Sequence, residues 1–142
     1  MYLISSCLTG VNCRYNGTSN TLEKLNKLIK EGKAIALCPE ILANLKIPRE
    51  SCEIVLKDGQ KHVIGKSKKD YTQAFLSGAQ KTLEICQVAG IKKAVLQSRS
   101  PSCGYGKIYD GTFGNKLING NGITAELLES NGITITTEED WK

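Results

Sequence analysis

No apolar stretch in the 142-residue sequence approaches the roughly 18 residues that a membrane-spanning helix needs. A span is excluded. The N-terminal MYLISSCLTGVNC has neither the positive flank nor the longer apolar segment of a secretory signal, so a cytoplasmic setting with reduced thiols is expected. Histidine occurs once, at His62, in a segment that reads as a hairpin, which makes it a poor metal ligand or partner for a nucleophile. Among six cysteines no two stand at C-x-x-C spacing, so neither a zinc knuckle nor a thioredoxin-type pair is written locally. No G-x-G-x-x-G follows the first apolar run, which removes the dinucleotide fingerprint. Aromatic residues are only 6% of the chain, and the lysines behind its net charge of +5 are scattered rather than interleaved with rings. That argues against a dedicated nucleic-acid face and leaves a weak preference for an anionic nucleotide or RNA.

What is present fits one domain over residues 1–142, with enough apolar residues for a single core. YLISS (2–6) predicts a strand ending at Cys7, followed by a loop rich in Gly, Asn, Ser and Thr. From Thr21 to Glu31, Leu22, Leu25, Leu28 and Ile29 recur at helical spacing, with Asn20 or Thr21 as cap and Gly32 as stop. AIAL (34–37) does not alternate, as in a strand covered on both faces, and Cys38-Pro39 ends it. EIVLKDGQKHVI turns at Asp58-Gly59 and predicts a hairpin outside the main sheet. A helix is expected from Asp70 to Ala89, its inner stripe made of Tyr71, Ala74, Phe75, Gly78, Ala79, Thr82, Ile85, Cys86 and Ala89. KKAVLQ gives a third strand, the glycine-rich stretch 104–122 holds two short strands, TAELLES gives a helix and GITIT a last strand. The order implies an α/β, Rossmann-like fold of three layers, with a mainly parallel sheet and a small β-hairpin excursion.

Three thiols then fall at equivalent places. Cys7 ends the first strand, Cys38 follows the second, and Cys103 lies in RSPSCG, the loop leaving the third. In open parallel sheets the functional crevice lies beyond the carboxyl ends of the strands, so thiols far apart in sequence converge there. Three thiolates without histidine are soft ligands, suited to an iron–sulfur cluster or zinc, and three leave a position open for chemistry. Cys13, in GVNCRYNG, is near enough to Cys7 to be a fourth ligand. Cys86 reads as plain core, and nothing assigns a role to Cys52. Glu40, two residues after Cys38, places a carboxylate at the rim, a general base if partial burial raises its pKa. Ser100 and Ser102 bring hydroxyls to the Cys103 loop, for catalysis or simple turn capping.

SCLTGVNCRYNG, CPE, RSPSCG and IYDGTF, in that order and across nearly the whole chain, resemble the thiouracil desulfidase family. The resemblance implies a 4Fe-4S cluster held by Cys7, Cys38 and Cys103 only, with Cys13 outside the ligand set. The fourth iron is then free to take the sulfur of a thiolated pyrimidine. It further implies Glu40 and Ser100 as catalytic residues, with Ser102 as the alternative serine. The reaction implied is non-redox: water replaces the sulfur and hydrosulfide leaves. The partner is a small thiolated base or nucleotide, with nucleic acid unsupported and no membrane. Asn16, Gln97 and Arg49–Cys52 depart from the family's usual residues and bear on substrate preference. Two other readings of the same thiols are a cluster that carries sulfide for RNA modification, and a structural zinc held by Cys7, Cys13, Cys38 and Cys103.

Overall fold

The computed structural model describes residues 1–142. In chain order its elements are β1 (Tyr2–Ser5), α1 (Glu23–Lys30), β2 (Ala34–Leu37), α2 (Pro39–Leu42), β3 (Cys52–Lys57), β4 (Gln60–Gly65), α3 (Thr72–Ala89), β5 (Lys93–Leu96), β6 (Lys107–Tyr109), β7 (Leu117–Asn119), α4 (Ile123–Ser130) and β8 (Thr134–Thr137). Short 3-10 turns follow β1 at Ser6–Thr9 and β8 at Glu138–Trp141. The main sheet is wholly parallel, in the order β2-β1-β5-β8, while β3–β4 and β6–β7 are separate antiparallel hairpins. The expected α/β class therefore forms, with the hairpin excursion where Asp58-Gly59 put it. Both turn residues have positive φ, 52° and 76°, as that turn type requires.

Layering follows from alternation along the strands. Leu3 packs with Leu83 and Cys86 of α3 and Ala125 and Leu128 of α4, whereas its neighbour Ile4 packs with Leu25 of α1 on the other face. Helices thus cover both sides of the sheet. Each of these leucine or isoleucine side chains contributes about 1.5–3 kcal/mol by leaving water, and coverage on both faces is why AIAL carries no polar alternation.

Three boundaries differ from the sequence expectation for identifiable reasons. Helix α1 begins at Glu23, because the N–H groups of Asn20 and Leu22 donate to the carbonyls of Cys7 and Leu8 and hold residues 20–22 outside the helix. Cys7 lies in the 3-10 turn just past β1 rather than at the strand end. Helix α3 begins at Thr72, since Tyr71 N–H donates to Val63 and the Asp70 carboxylate accepts from Thr72 N–H. On α3 Leu83 is buried and Ala89 exposed, so the inner stripe ends one turn earlier than the periodicity suggested. The one-turn helix α2, with Pro39 at its first position, was not foreseen. It packs directly on α3 at Gly78, where a Cβ would come within 2.1 Å of the Pro39 carbonyl oxygen.

From β1 the chain crosses to β2 on one side and later returns to β5 on the other. The switch point lies between β1 and β5, and the crevice of such a sheet opens beyond their carboxyl ends.

A sulfur-rich candidate active site

Every strand of the main sheet delivers a functional group to that edge. Cys7 follows β1, Cys38 follows β2, Cys103 lies in the loop after β5, and Glu138 follows β8. Cys38 is extended (φ −121°, ψ 109°), as the residue before a proline must be, and this turns the chain from strand into α2. The groups open into a cavity of about 720 Å³ whose wall includes Cys7, Cys13, Cys38, Cys52, Cys103, Glu40, Arg49 and Ser100. The convergence expected of Cys7, Cys38 and Cys103 occurs. Cys13 joins it, and so does Cys52, for which sequence position alone indicates no role. Cys86 sits in the core between α3 and the sheet, fully buried, and His62 lies 3.8 Å from Asp70 on the hairpin.

The thiols are closely coupled. Cys13 touches Cys38, which pulls its pKa down, but contact with Cys7 and burial outweigh this and leave it at about 11. Cys38 is raised, by its hydrogen bond with Cys13 and then by burial. Burial pushes Cys103 up to about 12 against a hydrogen bond from Ser5, and Cys52 up to about 12 with help from Glu50. Cys7 donates its S–H to Gln97 Oε1 at 3.3 Å. With nothing bound, the raised thiols stay protonated at neutral pH, so a metal centre must displace protons to bind them.

Glu40 is not the lone half-buried acid that the sequence suggested. It forms an ion pair with the Arg49 guanidinium, the two side chains being 15% and 8% exposed. Arg49 also donates from Nη1 to Lys46 O and from Nη2 to Cys13 O, both at 3.2 Å, and its own N–H donates to Tyr15 O. Segment 46–49 therefore clasps the Cys13 loop and presents a fixed cation to the carboxylate. Burial lowers the Arg49 pKa, and the Cys38 and Cys13 sulfurs oppose that shift. In the sequence, position 49 stands out only as a departure from the family pattern.

The two serines of RSPSCG occupy different places, although the Ser102 oxygen also accepts from Cys103 Sγ at 3.8 Å. Ser100 lines the cavity, and its Oγ accepts from the N–H groups of Ser102 and Cys103, at 3.0 Å each. It shapes the Cys103 turn while leaving its hydroxyl proton free to donate. Ser102 is buried behind the loop with its hydroxyl on Thr124 Oγ1 at 2.8 Å, and forms no part of the wall. Arg99, just before Ser100, takes a left-handed φ of 66° in the loop that leaves β5.

Glu138 is a functional group that the sequence reading missed, 1% exposed and on the cavity wall. Its carboxylate accepts from Ser98 N–H at 2.7 Å and from Gln97 Nε2 at 3.3 Å. This fixes the Gln97 amide with its oxygen toward Cys7. The strand-end rule that selected the cysteines selects Glu138 as well, once it is applied to the last strand.

The donor set fits a metal cluster better than one ion. Cys13 lies against both Cys7 and Cys38, and Cys103 faces the same cavity, so the donors are thiols carried on separate loops with no imidazole beside them. A cluster of four irons and four sulfides is wider, takes soft thiolates from separate loops, and suits a sulfur-lined cavity at a sheet edge. Fold and cavity together define an α/β protein built around a thiolate-held metal centre. The chain belongs to the 2-thiouracil desulfurase family, which it matches over residues 2–140. It is 40% identical to the uncharacterized protein YbbK of Bacillus subtilis (strain 168), covering 99% of this chain and 97% of that protein. A solved structure, that of the [4Fe-4S]-dependent thiouracil desulfidase TudS, superimposes with a TM-score of 0.90 at 38% identity, over 98% of this chain and 91% of that one.

Proposed function

We propose that residues 1–142 act as one catalytic unit, a [4Fe-4S]-dependent desulfidase that converts a thiouracil-type base or its nucleotide to the oxo form. Cys7, Cys38 and Cys103 hold the cluster, and Glu40 and Ser100 are the catalytic residues. The observation that carries the reading is the meeting of these three strand-end thiols with a buried carboxylate in one cavity, in a chain of this family. When bound, the cluster supplies Lewis-acid polarisation of a soft thiocarbonyl sulfur.

The chain's own residues account for the remaining steps. Glu40, ionised and oriented by Arg49, accepts a proton from the water that attacks the thiocarbonyl carbon. Ser100, whose oxygen is occupied by two N–H donors, has its hydroxyl proton available for the polar groups of the substrate. Water supplies oxygen to carbon, one of its protons leaves on sulfur as hydrosulfide, the other is taken by Glu40 and passed to solvent, and no electron is transferred. Glu138 and Gln97 hold the wall at Cys7.

One alternative ligand set has a specific observation behind it: Cys13 is 1% exposed and touches both Cys7 and Cys38. Iron and acid-labile sulfide analysis after anaerobic purification decides between the sets. Cys7→Ala, Cys38→Ala and Cys103→Ala should each lose the cluster, whereas Cys13→Ala should keep it. Loss of iron in Cys13→Ala would replace three ligands by four. Multiple turnovers of 4-thiouracil, followed by loss of its thione absorbance, are expected of the loaded protein; a single turnover would instead identify a sulfide carrier. Stoichiometric zinc without labile sulfide would overturn the cluster altogether.

A further inference from the structure

The loop between β6 and β7 is built in a way that its own folding does not require. Phe113 has φ 59°, a left-handed conformation that is an outlier for a bulky side chain, and Asn115 has the same φ. A strained backbone persists only where its surroundings hold it. Here the holder is Glu53 on β3, 8% exposed, whose carboxylate oxygen accepts from the N–H groups of Gly111 at 3.0 Å and Phe113 at 3.2 Å. Gly111, at φ 90°, packs so tightly on β3 that a Cβ would lie 2.7 Å from the Ile54 carbonyl oxygen. Asp110 closes the turn by accepting from Thr112 N–H and Oγ1.

All this fixes one aromatic ring that contributes to none of the three apolar core clusters. Phe113 is half-buried, and it lines the cavity that the five cysteines line, with Asn115 beside it. A ring held at a cavity wall by a buried carboxylate and a strained backbone, without a core to fill, is placed for something that enters the cavity.

We infer that the 110–115 loop is the base-recognition element of this site, with Phe113 stacking on the face of the pyrimidine ring and Asn115 reading its amide edge. The inference rests on the pyrimidine substrate proposed above. A planar heteroaromatic ring stacks well on a phenyl face, and the N–H and C=O of a pyrimidine match the acceptor and donors of one carboxamide. Glu53 is a positioning residue: it touches the loop backbone and sets the ring in place beforehand, so binding does not have to order it.

The test separates binding from chemistry in the cluster-loaded enzyme. Phe113→Ala should raise KM for 4-thiouracil and the dissociation constant for uracil about 5- to 150-fold, the range for removing one base-stacking ring. Phe113→Tyr and Phe113→Trp should restore both to within a few-fold. Iron content and melting temperature should stay at the wild-type values in Phe113→Ala, because the ring belongs to no core cluster. Asn115→Ala should weaken uracil binding several-fold but barely affect 3-methyluracil, whose N3 carries no hydrogen. Unchanged KM and uracil affinity in Phe113→Ala would overturn the inference. Titration of uracil into the Glu40→Gln variant keeps the question separate from the catalytic reading: if Phe113→Ala weakens that binding while Glu40→Gln still turns over, the recognition loop stands and the role of Glu40 falls.

Discussion

The buried pair between Glu40 and Arg49 makes a quantitative prediction. Removing one partner of a buried ion pair costs about 3–5 kcal/mol, chiefly because the other charge is left uncompensated. Arg49→Met strands the Glu40 carboxylate, which is only 15% exposed, and removes donors from the carbonyls of Lys46 and Cys13 as well. It should therefore lie toward the upper part of that range. Glu40→Gln keeps an acceptor against the guanidinium and leaves both carbonyl bonds in place, so about 1–3 kcal/mol is expected. In the double variant no charge is stranded, and mainly the two carbonyl contacts are lost, about 1–2 kcal/mol. The two single costs together should then exceed that of the double by roughly 3–7 kcal/mol, the coupling between the two side chains.

Urea unfolding of the cluster-free chain under reducing conditions measures this directly, with four proteins compared at equal denaturant slope. A coupling below about 0.5 kcal/mol, the noise of such additivity tests, would refute the claim that Arg49 holds Glu40. The kinetic counterpart is independent of folding. In the loaded enzyme Arg49→Lys restores a cation but not the planar fork, so iron content should be retained while kcat falls.

Three further outcomes are expected. The folded pKa values of Cys13 and Cys86 near 11 and Cys103 near 12 stand above the ordinary 9.0. The unfolded chain therefore releases these protons first; stability of the cluster-free protein is complete below pH 9 and declines as pH rises toward 11–12, and a urea midpoint that is flat or rising from pH 8 to 10.5 refutes this. Because Cys86 lies in the core, Cys86→Ala should lessen that decline without changing the iron content of anaerobically purified protein. Ser100→Ala removes the acceptor of two N–H groups and a cavity hydroxyl, so it should cost about 1–2 kcal/mol and depress kcat. Ser102→Ala should destabilise to a similar extent through Thr124 but leave kcat nearly unchanged, and equal kinetic losses in the two would reject the assignment. Gly78→Ala puts a Cβ 2.1 Å from the Pro39 carbonyl, which forces α2 and Glu40 to move; both melting temperature and kcat should drop, and an unaffected kcat would show that the position of α2 is not critical.

The sequence carried the frame because the frame depends on local pattern. AIAL and the Ala94–Leu96 run are apolar without alternation since helices cover both faces of the sheet, and the places of Cys7, Cys38 and Cys103 just beyond strands follow directly. Cys86 was legible for the same reason, as one position on a helical stripe. What escaped was decided by contacts between distant segments. The Arg49–Glu40 pair depends on how 46–49 crosses the Cys13 loop, and Cys52 enters the wall only because the β3–β4 hairpin folds beside it. The start of α1 was misplaced because carbonyls in the Cys7 turn compete for the N–H groups of residues 20–22, a tertiary contact that overrides the capping propensity of Asn20 and Thr21.

These contacts also explain why so small a chain can hold a demanding site. The Cys7 turn is tied to residues 20–22, the Cys13 loop to Arg49, the Cys103 turn to Ser100, and the residues after β5 to Glu138. The Cys7, Cys13 and Cys103 segments are thus fixed by bonds from their own surroundings before any metal arrives. Loading must then displace thiol protons from a largely preformed cavity, so cluster uptake should be accompanied by net proton release and should quicken as pH rises from 7 to 8.5. Stopped-flow acidification of a weakly buffered apoprotein on addition of a preformed cluster donor reads that release, after correction for the protons of the donor itself. Uptake independent of pH across that interval would mean that the thiols are already ionised, and that Arg49 outweighs the burial that raises Cys13 and Cys38.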